Sequence, residues 1–265
     1  MQNVIETDAL CKTYGSHRVV DHLTLTVPEG GLPLLGYVKG AKVSNLNIYG
    51  KQIAGYGLVN YLEGVGLSGE AICIDNVTLK SGSSTLKSGL IGTYITTNGF
   101  AGCSAAFYVT IRNCTVESGV VVGYGKDESM IGSIAGRIHG TISNCTSGAT
   151  VYGKNYVGGI LGTRDNAMGE CRVTDCTFTG SVIASGEHAG GIVGGGYSND
   201  SAPNGIRITV QNCKVSGSVT GADKVGGILG GDSFVAQAWN AYSFTDNSFT
   251  GKVSGSGSAV GGVIG

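Results

Sequence analysis

The sequence reads VGGILG at residues 157–162, and near copies of this phrase return downstream. They are AGGIVG at 189–194, VGGILG at 225–230 and VGGVIG at 260–265, at intervals of about 32–36 residues. A phrase that recurs at a period of this size is typical of a solenoid, a propeller or an array of repeats. In such a protein each unit buries its apolar face by stacking on its neighbours. The stretch 157–265 therefore decides the architecture that we expect for the chain.

A second phrase, built around one Asn or Asp, recurs in phase with the first. Its seven copies are VSNLNI at 43–48, IDNVTL at 74–79, IRNCTV at 111–116, ISNCTS at 142–147, VTDCTF at 173–178, VQNCKV at 210–215 and FTDNSF at 244–249. A third phrase lies between the other two. Its copies are SGATVYG at 147–153, TGSVIASG at 179–186, SGSVTG at 216–221 and TGKVSG at 250–255. Short β-branched runs separated by Gly, Asn or Ser predict three strands joined by turns in each unit.

Three strands per repeat without a helical period predict that each repeat forms one turn of a parallel β-helix. In IRNCTV the apolar residues are Ile111, Cys114 and Val116, so the alternation of inward and outward side chains shifts by one residue at Asn113. This shift indicates a left-handed backbone position, which Asn tolerates best after Gly. Stacked Asn side chains would then hydrogen-bond along the axis of the solenoid. The alternative, a small antiparallel sandwich, would need short hairpin loops with Asn-Gly chemistry, and the loops here are mostly of neither kind.

We therefore expect an all-β protein, a single right-handed parallel β-helix of about seven coils with three short strands each. At a strand spacing of about 4.8 Å, seven coils would form a rod of roughly 35 Å. The phrases quoted above resemble the GLUG repeats of bacterial surface proteins, which also occur in IgA-peptidase-like and adhesin-like chains. The resemblance covers residues 31–265, and GLPLLGYVKGAKVSNLNIYG at 31–50 is similar to a first unit. It implies a scaffold or stalk at the cell surface or outside the cell.

Composition bounds the possible functions. The 265 residues include 48 glycines, 3 prolines and 13% charged residues, which suits a turn-dense β protein. The net charge of −1 gives the chain no excess of positive charge to attract phosphate groups, so we expect no nucleic-acid partner. The sequence contains no run of 18 apolar residues, so it predicts no membrane span. The N-terminal stretch MQNVIETDAL lacks the features of a signal peptide. The chain ends directly after a repeat strand, which suggests that the solenoid is truncated there.

Residues 1–30 do not carry the repeat phrases. They resemble the N-terminal opening of an ABC-transporter ATP-binding subunit, in which one strand ends in K-x-Y-G and a second in V-P-E-G. The resemblance implies that Tyr14 would stack on adenine. However, the chain continues as GLPLLGYVKGAK, without the phosphate-binding loop, so nucleotide hydrolysis is not expected. The segment is interpreted as a genuine fusion or an artefactual join, and as a structural element it could form a hairpin that caps the first coil.

Four of the eight cysteines occupy one position of successive repeats, namely Cys114, Cys145, Cys176 and Cys213. In a β-helix they would form an inward column of neighbours about 4.8 Å apart. In-register parallel neighbours rarely reach disulfide geometry, so the column is predicted to contain reduced, buried thiols. A linear column cannot make a tetrahedral zinc site, and we predict neither a metal nor a cofactor. Cys103 and Cys171 lie near turns, where one local bridge is conceivable.

Chemistry is expected on the long connections from each GGxxG phrase to the next Asn phrase. In stacked coils, the connections 162–172, 194–207 and 230–243 would lie side by side, joined by the excursion at 92–110. Aromatic rings, carboxylates and amides are suited to binding sugars. The candidate ligand-binding residues on these connections are Arg164, Asp165, Tyr197, Asn199, Asp200, Asp232, Trp239 and Tyr242, beside Glu170.

Three function hypotheses follow from these features. The first is a non-enzymatic cell-surface or secreted repeat module that serves as an adhesin, a stalk or a carbohydrate-contacting scaffold, with a glycan or host surface as its partner. The second is a fragment of a carbohydrate-active β-helix enzyme, either a glycoside hydrolase or a polysaccharide lyase. It would use a pair of carboxylates from Asp165, Asp200 and Asp232. The third is a non-functional ATP-binding remnant.

His139 and His188 pair with no recurring Ser or Cys, so each is interpreted as a surface or turn residue. The oligomeric state is left open.

Overall fold

The computed structural model describes residues 3–6, 10–14, 17–23, 26–28, 32–39, 42–63, 72–95, 109–138, 140–164, 170–196, 207–231 and 241–265. Their regular structure is β-strand throughout. Among the strands from residue 32 onward, every pairing with one another is parallel and joins successive repeats. They form four sheets, which we number 1 to 4 in the order in which a regular repeat visits them, beginning with the Asn phrase. The protein is thus an all-β parallel solenoid, as predicted. Its handedness and its number of coils stay predictions.

Sheet 1 contains the Asn phrases. Its strands are Leu10–Tyr14, His17–Leu23, Lys42–Ile48, Cys73–Leu79, Val109–Arg112, Thr115–Val116, Gly140–Ser143, Thr146–Ser147, Glu170–Thr174, Thr177–Phe178, Arg207–Gln211, Lys214–Val215, Ala241–Thr245 and Ser248–Phe249. Sheet 2 contains the SGxVxG phrases. Its strands are Ser84–Thr85, Val121–Val122, Thr150–Gly153, Ser181–Ala184, Ser218–Gly221 and Lys252–Gly255.

The VGGILG phrases contribute to both remaining sheets. The strands of sheet 3 are Ile131–Gly132, Val157–Gly158, Glu187–Gly190, Asp223–Gly226 and Val260–Gly261. The strands of sheet 4 are Leu35–Lys39, Val59–Glu63, Ile91–Ile95, Ala135–Ile138, Leu161–Arg164 and Val193–Gly195. The prediction of three strands per coil is therefore wrong for the regular repeats, because the phrases at 157–162 and 189–194 turn at their central glycines and are divided between two sheets. In the copies at 225–230 and 260–265 the second half makes isolated bridges at Leu229 and Ile264.

Close packing explains why these phrases contain glycine. A Cβ added at Gly159 would collide with the carbonyl oxygen of Gly191 and lie 2.6 Å from Cγ of Phe178. Phe178 is fully buried at the centre of the solenoid, so neither neighbour has room to move. The side chains of Val157 and Ile160, on either side of the glycine pair, are also fully buried. The phrase therefore combines two core residues with a turn that a larger residue would not fit.

The Asn and Asp residues of the second phrase occupy left-handed backbone positions, as predicted. Their φ angles lie between 51° and 58° at Asn45, Asn76, Asn113, Asn144, Asp175, Asn212 and Asp246. The predicted hydrogen bonds along the axis also form. Nδ2 of Asn76 donates to Oδ1 of Asn45 at 2.9 Å, Nδ2 of Asn144 to Oδ1 of Asn113 at 2.7 Å, and Nδ2 of Asn212 to Oδ1 of Asp175 at 2.6 Å. Between Asn76 and Asn113 the pattern differs, because Nδ2 of Asn113 donates to Oδ1 of Asp75 instead. Asp175 and Asp246 have no side-chain N–H to donate to the preceding coil.

The cysteine column also agrees with the prediction. Cys114, Cys145, Cys176 and Cys213 are fully buried and free. Each thiol faces a backbone carbonyl two residues earlier, as in the 3.2 Å contact from Sγ of Cys114 to the oxygen of Arg112. The neighbouring thiol of Cys145 and burial together raise the pKa of Cys114. A buried thiol with a raised pKa stays protonated and acts as a small apolar side chain.

The N-terminal segment joins the solenoid. Strand Leu10–Tyr14 pairs antiparallel with His17–Leu23 and, on its other side, with Lys42–Ile48. The outer edge of sheet 1 is thus covered by an antiparallel hairpin, which agrees with the predicted cap. Strands Asn3–Glu6 and Thr26–Pro28 form a separate antiparallel pair. The division of the chain into segments 1–30 and 31–265 stays a prediction, as does the resemblance of the first segment to an ATP-binding subunit.

Candidate functional site

The candidate site is the edge of the solenoid where the chain passes from sheet 4 to sheet 1. We call it the loop edge, and it comprises the connections 64–71, 96–108, 139, 165–169, 197–206 and 232–240. These connections lie outside the described residues, whereas the strands on both sides of them are described. Both sheets are parallel and in register, so the strand ends that anchor successive connections are stacked along this edge.

One connection shows how little chain the turn at this edge requires. A single residue separates strand Ala135–Ile138 from the next strand, which begins at Gly140. Gly140 has a φ of 130°, which a side chain would not tolerate. The other five connections contain more residues than the turn itself needs. Long insertions on one edge of a rigid scaffold are where proteins usually carry binding residues.

The anchors of consecutive connections are joined by hydrogen bonds. The hydroxyl of Thr163 donates to the carbonyl oxygen of Gly195 at 2.8 Å in a buried position. The backbone N–H of Gly196 donates to the oxygen of Gly231 at 3.3 Å. The connections 165–169, 197–206 and 232–240 thus begin at adjacent points of the scaffold. The expectation that the connections themselves lie side by side stays a prediction.

Two of the predicted ligand-binding residues are described, and neither lies at a loop tip. Arg164 is the last residue of its strand, is only 1% exposed and is engaged in at least one noncovalent interaction. A guanidinium buried in this way requires polar partners and is not available at a loop tip for a ligand. Tyr242 lies inside a strand, in register with the buried Ile208, and its ring stacks on Phe244 at 6.2 Å. Both differ from the predicted loop positions, because the strands extend further than the phrases suggested.

The remaining predicted site residues lie outside the described residues. These are Asp165, Tyr197, Asn199, Asp200, Asp232 and Trp239. Glu170 is the first residue of a strand of sheet 1. Their assignment as ligand-binding or catalytic residues stays a prediction. Among the residues that the structure describes, no group of three or more His, Cys, Asp or Glu side chains is arranged to hold a metal ion. Nor does any helix in this part of the chain have the length and apolar character to span a bilayer.

A polar cluster beside the loop edge was missed by the sequence analysis. His188 is 3% exposed, and its ring stacks on that of Tyr156 with centroids 4.4 Å apart. Nζ of Lys224 lies 3.5 Å from Nε2 of His188 and 2.9 Å from a carboxylate oxygen of Glu187. A Cβ on Gly195, at the end of a sheet 4 strand, would lie 3.0 Å from the His188 ring. Of the two alternatives predicted for His188, a surface residue or a turn residue, the first is therefore wrong.

Charge and burial shift the proton affinities in this cluster. Burial, followed by the charge of Lys224, lowers the pKa of His188. The hydrogen bond from Lys224 lowers the pKa of Glu187. The cluster thus holds a neutral imidazole beside an ion pair. The signal was present in the sequence, because Tyr156, His188 and Lys224 each directly precede a copy of the glycine phrase.

Comparison with known proteins gives two similarities. Over 110 residues the chain is 36% identical to halomucin from Haloquadratum walsbyi (strain DSM 16790 / HBSQ001), a match that covers 41% of this chain and 1% of halomucin. The chain thus spans about one hundredth of the length of that relative. No family model matches the chain, and the resemblance to GLUG repeats stays a prediction.

The second similarity is structural. The fold resembles that of a candidate immunoglobulin A1 protease from Bacteroides ovatus, whose crystal structure was determined at 1.30 Å resolution. The TM-score is 0.50 with 19% sequence identity, over 84% of this chain and 67% of that chain. At this level of identity the likeness concerns the fold.

Proposed function

We propose that this chain is a non-enzymatic repeat module of the cell surface or the secreted space, and that its loop edge contacts carbohydrate. The observation that carries the proposal is the position of the long connections. They leave a rigid scaffold at one edge, between sheets 4 and 1, where the connection at residue 139 makes the same turn with a single residue. Such an edge can present several binding loops at fixed spacing.

Two further observations support this proposal. The similarity to halomucin, a protein named as a mucin, favours a place at the cell surface. The candidate residues of the loop edge include one tryptophan, one tyrosine, carboxylates and an amide, which suit the stacking and hydrogen bonding of sugar rings. The GLUG resemblance, in which the repeats serve as a scaffold or stalk, points the same way.

The proposal is tested by measuring binding of the intact chain to an array of glycans. We expect at least one glycan class to bind, and Trp239→Ala to weaken that binding by about tenfold or more, as for an aromatic residue at the centre of a binding surface. The matched control is Tyr152→Ala, because Tyr152 is a half-buried aromatic residue of sheet 2, away from the loop edge. Absence of glycan binding, or equal losses in the two variants, would refute the carbohydrate contact.

The structure suggests a second variant that removes a whole loop. Residues 233–242 can be replaced by His-Gly, which copies residues 139 and 140 and keeps the glycine that the short turn needs. The far-ultraviolet circular dichroism spectrum should keep its β-sheet form, since the flanking strands remain, whereas glycan binding should be lost. Retained binding would exclude this loop as a contact.

The rival function is a carbohydrate-active enzyme fragment. Asp200 and Asp232 belong to consecutive connections whose anchors, Gly196 and Gly231, are hydrogen-bonded. Two carboxylates from such loops could reach the separations that glycosidases use, roughly 5–5.5 Å or 6.5–9.5 Å. Release of reducing ends from a glycan by the wild type, abolished in both Asp200→Asn and Asp232→Asn, would establish this rival over the non-enzymatic proposal.

A further inference from the structure

The polar cluster beside the loop edge contains a buried imidazole whose two nitrogens have different surroundings. Nε2 of His188 lies 3.5 Å from Nζ of Lys224, which can only donate a hydrogen bond, so Nε2 is the acceptor of this pair. A neutral imidazole in this position therefore carries its proton on Nδ1. Nδ1 is buried and has no hydrogen-bond partner within the described structure. A buried donor without a partner is rare and requires an explanation.

A backbone acceptor faces this nitrogen across Gly195. The position that a Cβ on Gly195 would take lies 3.0 Å from Nδ1 of His188 and 2.9 Å from the carbonyl oxygen of Gly231. Burial and the charge of Lys224 lower the pKa of His188, whereas this oxygen acts in the opposite direction and favours a protonated ring. The same oxygen accepts the backbone N–H of Gly196 at 3.3 Å. The imidazole and the Gly196 amide thus face one acceptor, which joins the bases of two consecutive connections of the loop edge.

The titratable groups that face the imidazole come from three successive coils. Glu187 precedes it on its own strand, with a carboxylate oxygen 3.8 Å from Nε2. Lys224 and Asp223 belong to the next coil, and Tyr156 of the preceding coil stacks on the ring. Asp223 is engaged elsewhere, because its carboxylate accepts the backbone N–H of Ala259 at 2.8 Å. Glu187 is therefore the carboxylate that balances positive charge beside the ring.

One carboxylate cannot balance two cations at this position. At neutral pH Glu187 accepts a hydrogen bond from Nζ of Lys224 at 2.9 Å, and the imidazole beside them is uncharged. Once the imidazole is protonated, Nε2 becomes a donor and faces the ammonium group of Lys224 at 3.5 Å, where two positive charges repel. Lys224 is the group that can move, because its side chain is 32% exposed whereas that of His188 is 4% exposed.

We propose that His188, Lys224 and Gly231 form an acid-sensitive latch at the base of the loop edge. At neutral pH the latch is closed, with Lys224 bridging Glu187 and the imidazole. Protonation of His188 releases Lys224 from the ring and draws the Gly231 oxygen towards Nδ1, so that the Gly196 amide loses part of its acceptor. The turn of sheet 3 then packs less firmly against the end of sheet 4, where two connections begin. The latch belongs to the scaffold and does not depend on carbohydrate binding.

The first test measures hydrogen exchange at the Gly196 amide of the intact chain, as a protection factor corrected for the intrinsic effect of pH. We expect this protection to fall by about tenfold or more between about pH 7 and about pH 4.5, as His188 takes up a proton. The internal control is the Thr177 amide, which donates to the oxygen of Cys145 in sheet 1 and should keep its protection. Loss of protection at both amides alike, or at neither, would overturn the proposal.

Two variants separate the latch from other effects of acid. His188→Gln keeps a polar side chain that cannot be protonated, so protection of the Gly196 amide should no longer change in this pH range. Lys224→Met removes the second positive charge, and the acid-induced loss should be smaller than in the wild type, because the cost of burying a charged imidazole remains. The matched control is Lys214→Met, at an exposed lysine of sheet 1, which should behave like the wild type.

A wild-type loss of protection in His188→Gln would refute the latch, as would equal results for Lys224→Met and Lys214→Met. Should His188→Gln fail to fold, the comparison of the two lysine variants still decides, since both replace a lysine by an unbranched side chain and only one of them lies beside the imidazole.

Discussion

His188 occupies a backbone conformation that large side chains seldom adopt. Its φ is 62°, and the residues at the same position of neighbouring repeats share this geometry, with φ of 61° at Met130, 56° at Tyr156 and 53° at Lys224. Non-glycine residues in the left-handed region cost roughly 1–3 kcal/mol, and they persist only where the surrounding structure imposes them. Here the parallel pairing of sheet 3 on both sides imposes the same turn in each coil.

Burial of this imidazole predicts that stability depends on pH. Because the folded pKa of His188 is lowered, first by burial and then by Lys224, the unfolded chain binds more protons than the folded chain below the ordinary imidazole pKa of about 6.5. The free energy of unfolding should therefore fall as pH decreases from about 6.5. The carboxylates of Glu187 and Asp223, whose pKa values are also lowered, act at lower pH, below about 4.

The prediction is checked by urea unfolding at several pH values between about 6.5 and 4. In His188→Gln the slope of unfolding free energy against pH should become shallower in this window, whatever the absolute stability of the variant. In Lys224→Met the slope should change less, because burial remains as the larger cause. An unaltered slope in His188→Gln would contradict a neutral, buried imidazole.

At the level of elements, the sequence was most informative where one residue determines the local backbone. Every position predicted to be left-handed in the Asn phrases, from Asn45 to Asp246, is left-handed in the structure. Asn and Asp adopt this conformation at little cost, so the break in the apolar pattern and the residue type point to the same geometry. The cysteine column follows from the same register, because it occupies the next position in each phrase.

The turn inside the VGGILG phrase was not predictable in this way. Val157, Ile160 and Leu161 all face the core, and a continuous apolar run does not reveal where it bends. The connections of the loop edge do not repeat, so the periodicity carries no information about their geometry. Tyr242 could have been placed correctly, because aligning AYSFTDN with RITVQNC puts it at the position of the buried Ile208.

The glycine turn can be tested by adding one methyl group. Gly159→Ala should lower the free energy of unfolding by about 1–3 kcal/mol, because the new Cβ would meet the carbonyl oxygen of Gly191 and the ring of Phe178, and neither can move away. The matched control is Gly262→Ala, at the same repeat position in residues 241–265, where nothing lies within 4 Å of the added Cβ. Urea unfolding at concentrations that keep the chain monomeric measures both.

A loss in Gly262→Ala as large as that in Gly159→Ala would mean that the effect comes from the backbone and not from the packing between coils. A tolerated Gly159→Ala would mean that the interior of the solenoid adapts by shifting neighbouring coils. The two outcomes separate the local cost of replacing glycine from the cost of crowding the core.

At the scale of the whole molecule, stability is distributed along one dimension. Each coil contacts the coils beside it, so a coil within the described structure has two stabilising interfaces, whereas residues 241–265 contact one described coil. The same residue type at the same repeat position should therefore contribute differently according to its place along the axis. The chain offers this comparison directly, because Phe178 and Phe249 occupy equivalent positions in sheet 1, in register with Val215 between them.

Phe178→Ala should destabilise the protein by about 3–5 kcal/mol, because Phe178 is fully buried between two coils and its removal leaves a cavity that the neighbours cannot fill. Phe249→Ala should cost roughly half as much or less, since Phe249 is only partly buried and its outer side can relax into solvent. Urea unfolding of the monomer gives both values, and hydrogen exchange locates the effect. Protection in Phe249→Ala should fall mainly in residues 241–265, whereas in Phe178→Ala it should fall in the coils on both sides. Equal losses of stability, with protection lost uniformly along the chain, would show that the solenoid unfolds as one cooperative unit. The position of a residue along the axis would then not affect its contribution to stability.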